Sequence, residues 1–163
     1  MVRTAPKFSY DRDAVIELPF KLLIASIIVV VTVSVAYAGL ESYSKVSTEA
    51  SADAAAKVVI AGATEVSSLG INSSVQAKLE IKGSLFHRVD SFNVGCGPNE
   101  TTYKCKGVEY KVSGEKAIWL VAKDQAGHDI VLKGKTGKVA LGEGTHELLL
   151  VKLADHVEVR KLS

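Results

Sequence analysis

Residues 22–40, LLIASIIVVVTVSVAYAGL, carry no charged side chain. A run of about 18 or more apolar residues is long enough to cross a bilayer as a helix. Ser26, Thr32 and Ser34 interrupt it, but each hydroxyl can bond back to a carbonyl of the preceding turn, so a spanning helix survives them. This segment decides the compartment, and with it the chemistry open to everything downstream.

The flanks give an orientation. Arg3, Lys7, Arg12 and Lys21 precede the run or open it, whereas Glu41 follows it and Lys45 comes a turn later. Lysine and arginine near a span stay on the cytoplasmic side, which sends the C-terminal part outward. Cys96 and Cys105 are the only cysteines. They can close a small disulfide loop in an oxidising space, or be two separate buried thiols. Asn72-Ser73-Ser74 and Asn99-Glu100-Thr101 are glycosylation sequons, used on exported surfaces. A cleaved signal peptide stays open as an alternative, since Ala36-Tyr37-Ala38 has the pattern of a cleavage site. Against it, the apolar stretch of roughly 19 residues exceeds the usual 7–15.

From Glu41 to Ser68 there is no proline, and Gly62 is the first glycine; alanine is abundant. Such a composition favours helix. Glu41, Lys45, Glu49, Asp53 and Lys57 recur every fourth residue as a polar stripe, with Glu41 and Lys45 at a favourable pairing distance. Leu40, Tyr43, Val46, Ala50, Ala54, Val58 and Ala61 form a second stripe and read as the packing face. The anchor is therefore expected to run on as an amphipathic helix, capped near Gly70. Pro19 fits only a first helical turn, so the helix should begin near Leu18 or kink there. Small residues along the helix permit close approach of another helix. The spacing is not a strict heptad, which disfavours a regular coiled coil.

Beyond Gly70 the period changes to two. Val75, Ala77, Leu79 and Ile81 alternate with polar residues as a half-exposed strand. Further strands are predicted over Phe86–Val94, less regular, and Val108–Val112, and over 117–122, 129–133, 138–141, 147–153 and 157–161. Residues 117–122, with Trp119 among them, read as a central strand, and Trp119 as a core residue. The 138–141 run reads as an edge strand. About seven or eight short strands with turn signals every 8–12 residues indicate a β-sandwich. The predicted chain is α+β: a cytoplasmic leader (1–13), a hydrophobic then amphipathic long helix (14–69), and an extracellular antiparallel β-sandwich (70–163).

Motifs for catalysis are missing from the sequence. No H-E-x-x-H, C-x-x-C, phosphate-binding glycine loop or G-x-S-x-G occurs. The four histidines are scattered as His87, His128, His146 and His156. His128-Asp129 and Asp155-His156 are adjacent pairs, whose side chains would diverge on a strand. Gly142-Glu143-Gly144 reads as a turn. We expect no enzyme, no cofactor and no metal. The net charge is only +2, with mixed signs and few aromatics, so nucleic acid is not an expected partner.

The order of basic leader, long apolar helix, amphipathic continuation and β domain resembles archaeal type IV pilin-like proteins, archaellins included. In that family a peptidase removes a short leader just ahead of the apolar helix, and a glutamate commonly occupies the fifth mature position. Here Asp13-Ala14-Val15-Ile16-Glu17 is similar to that start. The resemblance implies cleavage between Arg12 and Asp13, and a role for Asp13 and Glu17 in subunit assembly. Arg12 stands where glycine or alanine is usual, Asp13 and Val15 replace the common glutamine and serine, and Lys21 falls within the apolar helix. Glu17 has an alternative partner in Lys21, four residues on. The implied function is a structural subunit of a cell-surface filament, polymerised through its helix with the β domain outward. The implied partners are the membrane, copies of itself and surface-layer or other envelope proteins. The alternative is a membrane-anchored β-sandwich that does not polymerise, with the layout of archaellum stator proteins.

Overall fold

The computed structural model describes residues 19–100, 103 and 105–162 in full, and the backbone of 12–18 and 104. Helix α1 is Arg12–Ser68. The chain divides into two units, Met1–Glu41 and Ser42–Ser163, with the boundary inside α1. Pro19 lies within the helix, so α1 neither begins at Leu18 nor treats Pro19 as a first-turn residue. A proline there removes one backbone donor and crowds the carbonyl four residues earlier. The described part of the first unit is apolar helix with its side chains exposed, and Ser26, Thr32 and Ser34 donate to the carbonyls of Leu23, Ile28 and Val30 at 2.7 Å.

In the second unit, eight strands are described: β1 (Ser74–Ile81), β2 (Val89–Val94), β3 (Gly107–Val112), β4 (Ile118–Val121), β5 (Leu132–Gly134), β6 (Val139–Leu141), β7 (Gly144–Lys152) and β8 (Val157–Lys161). One sheet runs β1-β7-β8-β5 and the other β4-β3-β2-β6. All pairings are antiparallel except β5 with β8. The fold class is thus the expected one, α+β with two four-stranded sheets.

Period-two burial explains the register. Ala77, Leu79 and Ile81 of β1 face inward beside Leu148 and Leu150 of β7 and Val157 and Val159 of β8. Val89, Phe92 and Val94 of β2 and Val108, Tyr110 and Val112 of β3 do the same in the other sheet. The Phe92 and Tyr110 rings stack at 6.3 Å. Both sheets and the second half of α1 contribute to one apolar cluster.

The helix face that enters this core differs from the expected one. Ser44, Thr48, Ala52, Ala55, Val59, Ala63 and Val66 are buried, at spacings of three and four. Tyr43, Val46, Ala50, Ala54, Val58 and Ala61 are exposed. Small side chains win the inner face because the helix lies close to β1 and β7: a Cβ on Gly62 would come within 2.7 Å of Leu150 Cδ1. Ranking stripes by bulk therefore selects the wrong face.

Other boundaries moved too. Residues 118–121 form an edge strand, not a central one, because β4 pairs only with β3 among the described strands. Trp119 is accordingly half-buried and meets the exposed ring of Tyr103 edge-on at 6.0 Å. The 129–133 run shortens to β5, with Asp129 held in an isolated bridge to Lys123. Gly70 is not a left-handed cap; the positive φ after the helix belongs to Asn72, at 70°. The Ser67 and Ser68 hydroxyls instead take the carbonyls of Thr64 and Glu65.

Candidate assembly surface

The inner face of α1 is fixed by polar contacts as well as packing. The Thr48 and Ser84 hydroxyls lie 2.7 Å apart, Ser44 also meets Ser84, and the Phe86 N–H donates to Ser44 Oγ. The Lys82 N–H donates to Ser51 Oγ at 2.8 Å, and Thr64 Oγ1 donates to the Lys123 carbonyl at 2.8 Å. Lys45 reaches Glu115 rather than Glu41. That contact holds the Glu115 carboxyl below its ordinary value and raises the Lys45 ammonium. Tyr110 of β3 is buried in the same apolar cluster as the helix, and burial, reinforced by Asp53 and Glu49, pushes its hydroxyl up. Asp53 pairs with Lys57 as the four-residue spacing suggests.

With one face committed, the other is left open. Tyr43, Val46 and Val58 are 74%, 60% and 40% exposed, and the alanines between them are exposed as well. The stripe expected from sequence to pack does exist, but the chain's own β domain does not use it. In the first unit, the 18-residue window that marks a membrane-crossing helix by length and composition is 0% buried. The side chains of Arg12, Asp13 and Glu17, the cleavage and assembly candidates, lie outside the described residues.

Cys96 and Cys105 form a disulfide. The segment beside it extends the β5 edge: the Cys96 N–H donates to the Leu132 carbonyl and the Gly134 N–H donates to the Cys96 carbonyl. Gly95 is required there, since it has φ 61° and a Cβ would lie 2.4 Å from the Leu132 carbonyl oxygen. Of the sequon asparagines, Asn72 sits exposed in a turn before β1, and Asn99 sits exposed in the turn of the disulfide loop. Thr101, which completes the second sequon, lies outside the described residues.

The histidines do not converge. His128 Nδ1 lies 3.3 Å from Asp124, and its N–H donates to the same carboxylate, holding Asp124 below its ordinary value. The His156 and Asp155 side chains do meet, at 2.7 Å, because they lie in a bend and not along a strand. His146 Nε2 bonds the Gly142 carbonyl. Asp124, Asp129, Asp155 and His156 line a pocket of about 130 Å³, yet each carboxylate has a basic neighbour: His128, Lys106 and His156 respectively. Among the described residues no group of His, Cys, Asp or Glu is placed to hold a metal.

No protein-family profile, curated protein or solved structure matches this chain.

Proposed function

We propose that the protein is a structural subunit of a pilin-like filament on an archaeal cell surface, polymerising through its N-terminal helix and presenting its β domain outside. One observation carries the reading: the second half of α1 has two stripes of apolar and small residues, and the chain's own sheets cover only one. The apolar part of α1 supplies the remainder of the filament core, with lipid contact exchanged for contact between subunits. Burial of Tyr43, Val46 and Val58 against neighbours contributes on the order of 1–2 kcal/mol each. The disulfide, and glycans on Asn72 and Asn99, serve to harden the outer domain. The role is structural and not catalytic.

Cleavage between Arg12 and Asp13 would free the helix to leave the membrane. N-terminal sequencing of the mature protein, with electron microscopy of the cell surface, tests this. The filament reading expects Asp13 as the first residue, and filaments. A mature chain beginning after Ala38 would remove the apolar segment and sink it. An uncut chain without filaments favours the second reading, a membrane-anchored β domain that grips another envelope component. That reading uses the same apolar span and leaves the outer face of α1 unoccupied.

A further inference from the structure

An open cleft of about 470 Å³ lies between the 135–138 loop, β6 and β8. Lys135, Lys138, Arg160 and Lys161 line it, and no carboxylate is among its described lining residues. The whole chain is only +2, so this is a strong local concentration of positive charge. Arg160 shares its charge with Glu158 on the same strand. Lys135, Lys138 and Lys161 have no ion-pair partner among the described residues.

The loop that carries two of these lysines is tightly built. A Cβ on Gly134 would lie 1.8 Å from the Gly137 carbonyl oxygen, so the backbone doubles back on itself there. The Gly134 N–H is tied to Cys96, at the disulfide. Lys135 and Lys138 thus stand on a braced turn, and Arg160 and Lys161 on a paired strand. Between them Val139, Ala140 and Leu162 supply apolar surface.

Cations spread over two elements suit a ligand with several separated negative groups better than one small anion. No aromatic ring is among the lining residues, so there is no platform for stacking bases. Apolar patches between cations fit the C–H faces of sugar rings between acidic substituents. We propose that the cleft between β6 and β8 binds an acidic polysaccharide, carboxylated or sulfated. The inference stands apart from polymerisation, since an anchored monomer has the same cleft.

The test uses the full chain in zwitterionic nanodiscs, titrated with polygalacturonate, dextran sulfate and neutral dextran. Both acidic polymers should bind saturably, and neutral dextran should not. K135Q/K138Q/K161Q should weaken binding about tenfold, and the matching Lys→Arg triple should restore it. K57Q/K116Q/K123Q, which removes the same charge elsewhere, should stay within about twofold of the parent. Equal loss in that control, or failure of the arginine variant to bind, overturns the proposal. So does capture by anionic phospholipid vesicles without binding of either acidic polymer, which would mark a lipid-headgroup site.

Discussion

Gly62 shows how one missing methyl group sets a helix in place. Its neighbours across the gap are Leu150, Ala77 and Val75, and the nearest atom would lie 2.7 Å from an added Cβ. Gly62→Val should therefore push α1 off β1 and β7 and destabilise the second unit by about 1–3 kcal/mol. Urea unfolding followed by Trp119 fluorescence measures it, and an unchanged midpoint would contradict the close packing. The disulfide acts at the same scale by another route. Replacing both Cys96 and Cys105 with alanine frees a short loop in the unfolded chain and should cost about 2–3 kcal/mol. Because the bonded segment also braces β5, the loss should exceed that of serine substitutions at exposed Asn72 or Asn99, measured by the same unfolding curve.

Helix α1 is the element on which sequence and structure diverge most usefully. Its helicity through Ser68 was legible from the alanines and the missing prolines, and the strands from period-two alternation. Which face turned inward was not legible, because two stripes compete. The stripe with Tyr43 and Val46 has more apolar bulk, yet only the stripe of mostly small residues, with Val59 and Val66 as its largest apolar members, lets the helix approach two sheets. Pairing across sheets was hidden for a similar reason: nothing local marks β4 as an edge, so Trp119 reads as core. The Lys45–Glu115 bridge was also beyond local reading, since its partners are far apart in sequence.

That bridge yields a pH prediction for the helix. Glu115 titrates below its ordinary value of 4.5 in the folded chain, so its contribution is present above that value and is lost as pH falls through the lower folded one. Lys45 titrates above 10.5, so its contribution is present below that value and is lost as pH rises through the higher folded one. The attachment of α1 should thus be tightest between these limits. Protection of the amides around Lys45, taken relative to intrinsic exchange at each pH, should fall at both extremes, and Glu115→Gln should flatten the acid side. An acid limb identical in the variant would show that the bridge plays no part.

At the scale of the whole molecule, the chain carries an exposed apolar segment in its first unit and an unoccupied apolar helix face in its second. Either can be tolerated alone: the first by a membrane, the second as scattered surface residues. Together they fit a chain whose copies pack side by side. The direct measurement is electron microscopy of the cell surface with the parent chain and with Tyr43→Glu/Val46→Glu/Val58→Glu, the urea midpoint of each protein being taken in parallel. We predict filaments from the parent and none from the triple variant, whose β domain unfolds at the same midpoint. Filaments of equal number and length from both would contradict assembly through this face of α1.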